Sequence, residues 1–97
     1  MSGHDKVSDV MQLAMERRSF QFFDYEPRGE PGFESNIAEV FGCSSNQTNN
    51  LLDAVDIIDH VDHYNHYDVS REPVAPATAG SKGKRYPQRI RVIVSLA

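Results

Sequence analysis

Arg89-Ile-Arg-Val-Ile-Val-Ser-Leu96 alternates polar and apolar positions closely enough to specify a β-strand. Its expected partner is Ser19-Phe-Gln-Phe-Phe-Asp-Tyr-Glu26, in which Phe20, Phe22 and Tyr25 suit one face of a short strand and Phe23 covers the other. Phe20, Phe22 and Phe23 read as core rather than as a base-stacking platform. Between and before these strands the period changes. Val7, Val10, Met11 and Ala14 fall at i, i+3, i+4 and i+7 and predict a helix over residues 3–18. Ser2 is its expected N-cap, Asp5 sits near the positive helix end, and Arg17 and Arg18 lie at the negative one. After the Pro27–Gly32 turn, a second helix is expected over 33–42, with Phe33, Ile37, Val40 and Phe41 inward and Gly42 as its stop. A third is expected over about 47–66, with Leu51, Ala54, Val55, Ile58 and Val61 on one side and Ile57 flanking them. Residues 70–84, rich in Pro, Gly and Ala, read as a mobile loop. The resulting order, α-β-α-α-β, is a small α+β fold with a short two-stranded sheet, forming a single domain over residues 1–97.

Composition narrows the function classes. Apolar content of 39% with five Phe and four Tyr supports a small globular core rather than a disordered chain. The single cysteine, Cys43, excludes an internal disulfide and a cysteine-based zinc site, and fits a reducing compartment. No run approaches the roughly 20 apolar residues of a membrane span, and no signal peptide is visible. The expectation is a cytoplasmic protein.

Charge is distributed unevenly. Residues 1–28 hold four bases and five acids, residues 29–70 hold eight acids and no Lys or Arg, and residues 71–97 hold six bases and one acid. The net charge of −4 therefore conceals a polarised molecule. Within the base-free stretch, Asp53, Asp56, Asp59 and Asp62 recur every third residue. On a helix this spacing traces an oblique stripe, with neighbouring carboxylates ~8 Å apart. An ordinary solvated helix mixes signs, because i,i+4 ion pairs help it and like charges cost it. Carboxylates lacking local partners are easier to understand if a basic partner meets them. His60, His63 and His66 interrupt the stripe, and Asp59/His63 and Asp62/His66 stand at i,i+4. His4 is the only other histidine and no separate cluster supplies further ligands, so no metal, cofactor or enzymatic activity is expected.

A competing constellation lies just upstream. Ile37–Leu52, with Ala38 at a close helix approach, Gly42 at the turn and Leu51 at a buried site, resembles the helix-turn-helix of phage and bacterial repressors. The match departs at Thr48, where that family usually buries a larger aliphatic group. That resemblance implies a small DNA-binding regulator, with Gln47, Asn49 and Asn50 reading adenine edges and Lys82, Lys84 and Arg85 of the basic C-terminal segment contributing charge. The recognition helix would, however, run directly into the aspartates, and its segment has no Lys or Arg for phosphate. Direct DNA binding is accordingly not the favoured reading.

In its size, lack of catalytic motifs and acidic block at Asp53–Asp68, the chain is similar to phage-encoded anti-CRISPR proteins of the DNA-mimic type, which act on type I surveillance complexes. The C-terminal Lys and Arg cluster departs from a uniformly acidic mimic. The resemblance implies a non-enzymatic inhibitor in the host cytoplasm. Asp53, Asp56, Asp59 and Asp62, with Glu34 and Glu39, would then contact the lysines and arginines of a basic nucleic-acid-binding protein or ribonucleoprotein complex and block target DNA.

Overall fold

The computed structural model describes residues 3–75, 78–79 and 85–97. Helix α1 (Gly3–Arg17) leads into strand β1 (Ser19–Glu26), followed by a short helix α2 (Ile37–Phe41) and the longer α3 (Thr48–His60). Strand β2 (Tyr67–Ala75), a small hairpin of β3 (Thr78–Ala79) and β4 (Arg85–Tyr86), and strand β5 (Gln88–Leu96) complete the chain. The domain is α+β, but its main sheet has three antiparallel strands in the order β1-β5-β2. The expected pairing of the Phe-rich and C-terminal segments is present, with Phe22 opposite Val92 and Phe20 opposite Val94.

The third strand corrects the expectation of a two-stranded sheet and of a loop from residue 70. Tyr67-Asp-Val-Ser-Arg-Glu-Pro-Val-Ala has weak apolar alternation, and Pro73 argues against a central strand. β2 is an edge strand, where a missing N–H is tolerated, and the register shift between Pro73 and Ala75 blunts that edge further. Its pairing with β5, not its own hydropathy, makes it a strand. The remainder of the expected mobile loop, residues 76–77 and 80–84, lies outside the described residues, as does the Ser2 cap.

Period-2 alternation divides the sheet into two faces. Phe20 and Phe22 of β1, Ile90, Val92 and Val94 of β5, and Tyr67 of β2 are buried against the helical layer. Helix α1 contributes Val7, Val10 and Ala14; α3 contributes Leu51, Ala54, Val55 and Ile58. Ala14 and Ala54 are both fully buried. Small side chains there permit the close approach of two helices lying over one sheet. Burial of each large apolar side chain is worth about 1.5–3 kcal/mol. Tyr25, expected with Phe20 and Phe22, lies instead on the opposite face with Phe23; the inward position of that row is Asp24, which is buried.

Helices α2 and α3 are both shorter than their apolar patterns predict. Residues 33–36 are not helical because Ser35 and Asn36 serve the sheet. The Asn36 carboxamide oxygen accepts a hydrogen bond from the Phe23 N–H at 2.9 Å, and the Ser35 hydroxyl donates to the Phe23 carbonyl at 2.6 Å. Two side chains thus replace a missing neighbour strand at the outer edge of β1. Ser35 Oγ also accepts from the N–H of Ile37, the first residue of α2, at 3.2 Å. Gly42, in the left-handed conformation at φ 67°, stops it as expected, with the Cys43 N–H on the Ala38 carbonyl at 3.0 Å. Replacing Asn36 with Ala is expected to lower stability by about 1 kcal/mol, whereas Asn36→Asp, which keeps the acceptor, should lose less. A denaturant titration of both variants checks this.

Helix α3 ends at His60, and Val61 turns extended, at φ −102° and ψ 121°. Val61 is consequently 45% exposed rather than part of the core. Asp, His, Tyr and Asn have modest helix propensity, so the run after His60 yields to the demand that Tyr67 enter the sheet.

Candidate interaction surface

The acidic residues separate into two groups once the chain is folded. Arg28 and Arg71, the bases that flank the base-free stretch in sequence, both return to α3. Arg71 Nη2 donates to Asp56 Oδ1 at 2.7 Å and its Nε to Asp59 Oδ2 at 3.3 Å. Arg28 donates through Nη1 to Asp56 Oδ2 at 3.1 Å and through Nε to Asp24 Oδ2 at 2.8 Å. The result is a continuous ladder, Asp24–Arg28–Asp56–Arg71–Asp59, joining β1, the following loop, α3 and β2. Burial opposes the charge of the Arg28 guanidinium, but its hydrogen bonds to Asp56 and Asp24, and the charges of these carboxylates, outweigh that effect and raise its pKa above the ordinary value. The expectation that Asp56 and Asp59 lack basic partners is therefore corrected. Their partners are distant in sequence and local in space.

Asp62 also leaves the proposed stripe. It opens a separate 3-10 turn, Asp62–Tyr64, beyond the end of α3. For the same reason Asp59/His63 and Asp62/His66 are not i,i+4 pairs on a helix. His60 Nδ1 instead lies 2.9 Å from the Asp56 carbonyl oxygen, His63 packs edge-on against Tyr64, and His66 packs on Tyr67. Among the described residues, no three of His, Cys, Asp and Glu come together in a group able to hold a metal ion.

What remains exposed is a different acidic surface. Glu30, Glu34, Glu39 and Asp53 are exposed and have no ion pair among the described residues. Glu34 and Glu39 border an open groove of about 740 Å³ that Asn49 of α3 also lines. Asp53 stands one turn beyond Asn49 on the same helix face, where i and i+4 are neighbours. Glu30 and Glu34 border an adjoining hollow beside Asp24 and Arg28. Asp62 and Asp68 are likewise exposed and without an ion pair among the described residues, so the available carboxylates lie around the start of α3 and beyond its end rather than along its length.

The helix-turn-helix residues occupy the same end. Gln47 belongs to a 3-10 turn, Ser45–Gln47, ahead of α3, and α2 spans only five residues. The Asn50 amide donates to the Gln47 side-chain oxygen at 3.2 Å, and Gln47 donates to Asn46 at 3.4 Å. Two of the three amides are thereby engaged with near neighbours, while Asn49 is exposed beside Glu34 and Glu39. Lys82 and Lys84, and the side chain of Arg85, lie outside the described residues.

Sequence reasoning missed Arg28 and Arg71 as partners of the aspartates, and Asp24 as a buried charge. One signal was available for the last: an acid at an inward strand position, four residues ahead of an arginine.

No protein-family model, curated protein or solved structure matches the chain. No helix among the described residues is long and apolar enough to cross a membrane.

Proposed function

We propose that this protein is a non-enzymatic binding protein that presents an acidic surface to the nucleic-acid-binding site of a basic protein or ribonucleoprotein complex and competes there with nucleic acid. The observation that carries the reading is the set of exposed carboxylates, Glu30, Glu34, Glu39 and Asp53, without ion-pair partners among the described residues. Such charge steers association with lysine- and arginine-lined clefts and makes it salt-sensitive. In its narrower form, the proposal is an anti-CRISPR inhibitor that occupies the DNA-binding surface of a type I surveillance complex.

The arginine ladder dictates how this is tested. Reversing Asp56 or Asp59 would disrupt a structural network, so lost binding there would say nothing about a partner. Glu39→Lys combined with Asp53→Lys alters only exposed groups. In an electrophoretic competition assay with a type I complex and its target DNA, the unaltered protein is expected to displace DNA. The double reversal should require at least about tenfold more protein to do so. Absence of competition by the unaltered protein would remove the narrower form, and equal competition by the double variant would remove the acidic surface as the binding site.

A further inference from the structure

The helices cover one face of the sheet, and the other face has a distinct chemistry. Adjacent rows across β1 and β5 place Phe23 opposite Arg91 and Tyr25 opposite Arg89. The Arg89 guanidinium carbon lies 5.7 Å from the centroid of the Phe23 ring. Phe23 and Tyr25 meet edge-on at 5.8 Å, Tyr25 and Phe33 at 5.6 Å, and Phe33 and Tyr86 follow at 5.5 Å. Phe23, Tyr25 and Phe33 are half-buried, and Tyr86 is exposed. Gln21, Val74 and Asn36 border a hollow of about 330 Å³ with Phe23, Arg89 and Arg91, at the low end of the volumes ligand clefts span. Arg89 has no ion pair among the described residues, and Arg91 is held only by an exposed bridge to Glu72 at 3.0 Å.

We propose that this open face binds single-stranded nucleic acid, with unpaired bases stacking on the Phe23–Tyr25 aromatics and the Arg89 guanidinium, and phosphates meeting Arg89 and Arg91. Aromatic rings and guanidinium groups side by side on one sheet face suit bases that are free of a duplex, because each base offers a stacking face and each phosphate a negative charge. An acidic peptide would use the cations and leave the aromatic row without a role. The acidic surface reaches the Phe33 end of this row, where Glu30 and Glu34 line a hollow with Phe33, whereas Phe23, Arg89 and Arg91 line a different hollow that includes no acid. The proposal rests on other side chains than the carboxylates of the proposed function, so either can fail alone.

The test is fluorescence anisotropy of the full chain with a labelled 12-nucleotide single strand, as DNA and as RNA, and with the corresponding duplex. Binding of a single strand in preference to duplex, weakening with salt, is expected. A preference for RNA would assign contacts to the 2′-hydroxyl, and equal binding of RNA and DNA would assign recognition to bases and phosphates; both support the proposal. Phe23→Leu keeps an apolar group on the sheet but removes the ring, and should weaken binding about fivefold or more. Arg89→Gln should also reduce the slope of log affinity against log salt by about 0.7. Glu72→Gln, which frees Arg91, should strengthen binding by roughly twofold or more, a change that a merely structural role for these residues would not produce. Thermal melts establish that the variants fold. No binding of any single strand in low salt, tighter binding to duplex, or an affinity unmoved by Phe23→Leu and Arg89→Gln overturns the proposal.

Discussion

Arg28→Met is expected to destabilise the protein by about 2–3 kcal/mol, a larger effect than its partly exposed position would imply. The Asp24 side chain is 7% exposed and its carboxylate receives Arg28 at 2.8 Å. Removing the guanidinium leaves a buried charge without a counter-charge, which typically costs about 3–5 kcal/mol; the 40% exposure of Arg28 lets water recover part of that. Asp56 retains Arg71 and so contributes little to the loss. The cause can be isolated. Asp24→Leu combined with Arg28→Met replaces the ion pair with an apolar pair and should bring stability back to within about 1 kcal/mol of the starting protein. Guanidinium titrations of the single and double variants, at unchanged m-value, measure the difference. A double variant as unstable as Arg28→Met would show that Arg28 matters through its other contacts instead.

The second large effect separates two neighbouring residues of the same type. Phe22→Ala should cost about 3–5 kcal/mol, whereas Phe23→Ala should cost about 1 kcal/mol. Phe22 is 3% exposed, faces the helices opposite Val92, and stacks near Phe20 at 6.3 Å. Its truncation opens a cavity between layers that cannot close without moving a helix. Phe23 contacts Tyr25 and Arg89 on the open face, where solvent fills the space it vacates. Equal losses in denaturant titration would mean that both faces of the sheet are covered. The contrast also bears on the proposed nucleic-acid surface, because it predicts that Phe23 variants stay folded.

Much of the fold was legible from local pattern. The apolar faces of α1 and α3, the Gly42 stop and the strand character of the Phe-rich and C-terminal segments follow from periodicity and turn chemistry, which act within a few residues; their pairing was expected because no other segment read as a strand. Strand β2 was not legible, because Tyr67–Ala75 becomes a strand by completing the hydrogen bonds of β5. Residues 33–36 looked helical because Phe33 and Ile37 share a helical spacing. Yet Ser35 and Asn36 bond the free edge of β1 at Phe23, ten or more positions earlier in the chain.

The candidate surface shows the same division. That residues 29–70 carry eight acids and no lysine or arginine is a property of the sequence alone, and it makes an acidic patch unavoidable wherever that segment reaches solvent. Which acids remain available is a tertiary matter. Coulomb attraction depends on distance in space, and the turn after β1 and the pairing of β2 carry Arg28 and Arg71 back to Asp56 and Asp59. Sequence determined the sign of the surface; the packing of β1 and β2 around α3 neutralised Asp56 and Asp59, and left Glu30, Glu34, Glu39 and Asp53 around the start of α3 and Asp62 and Asp68 beyond its end.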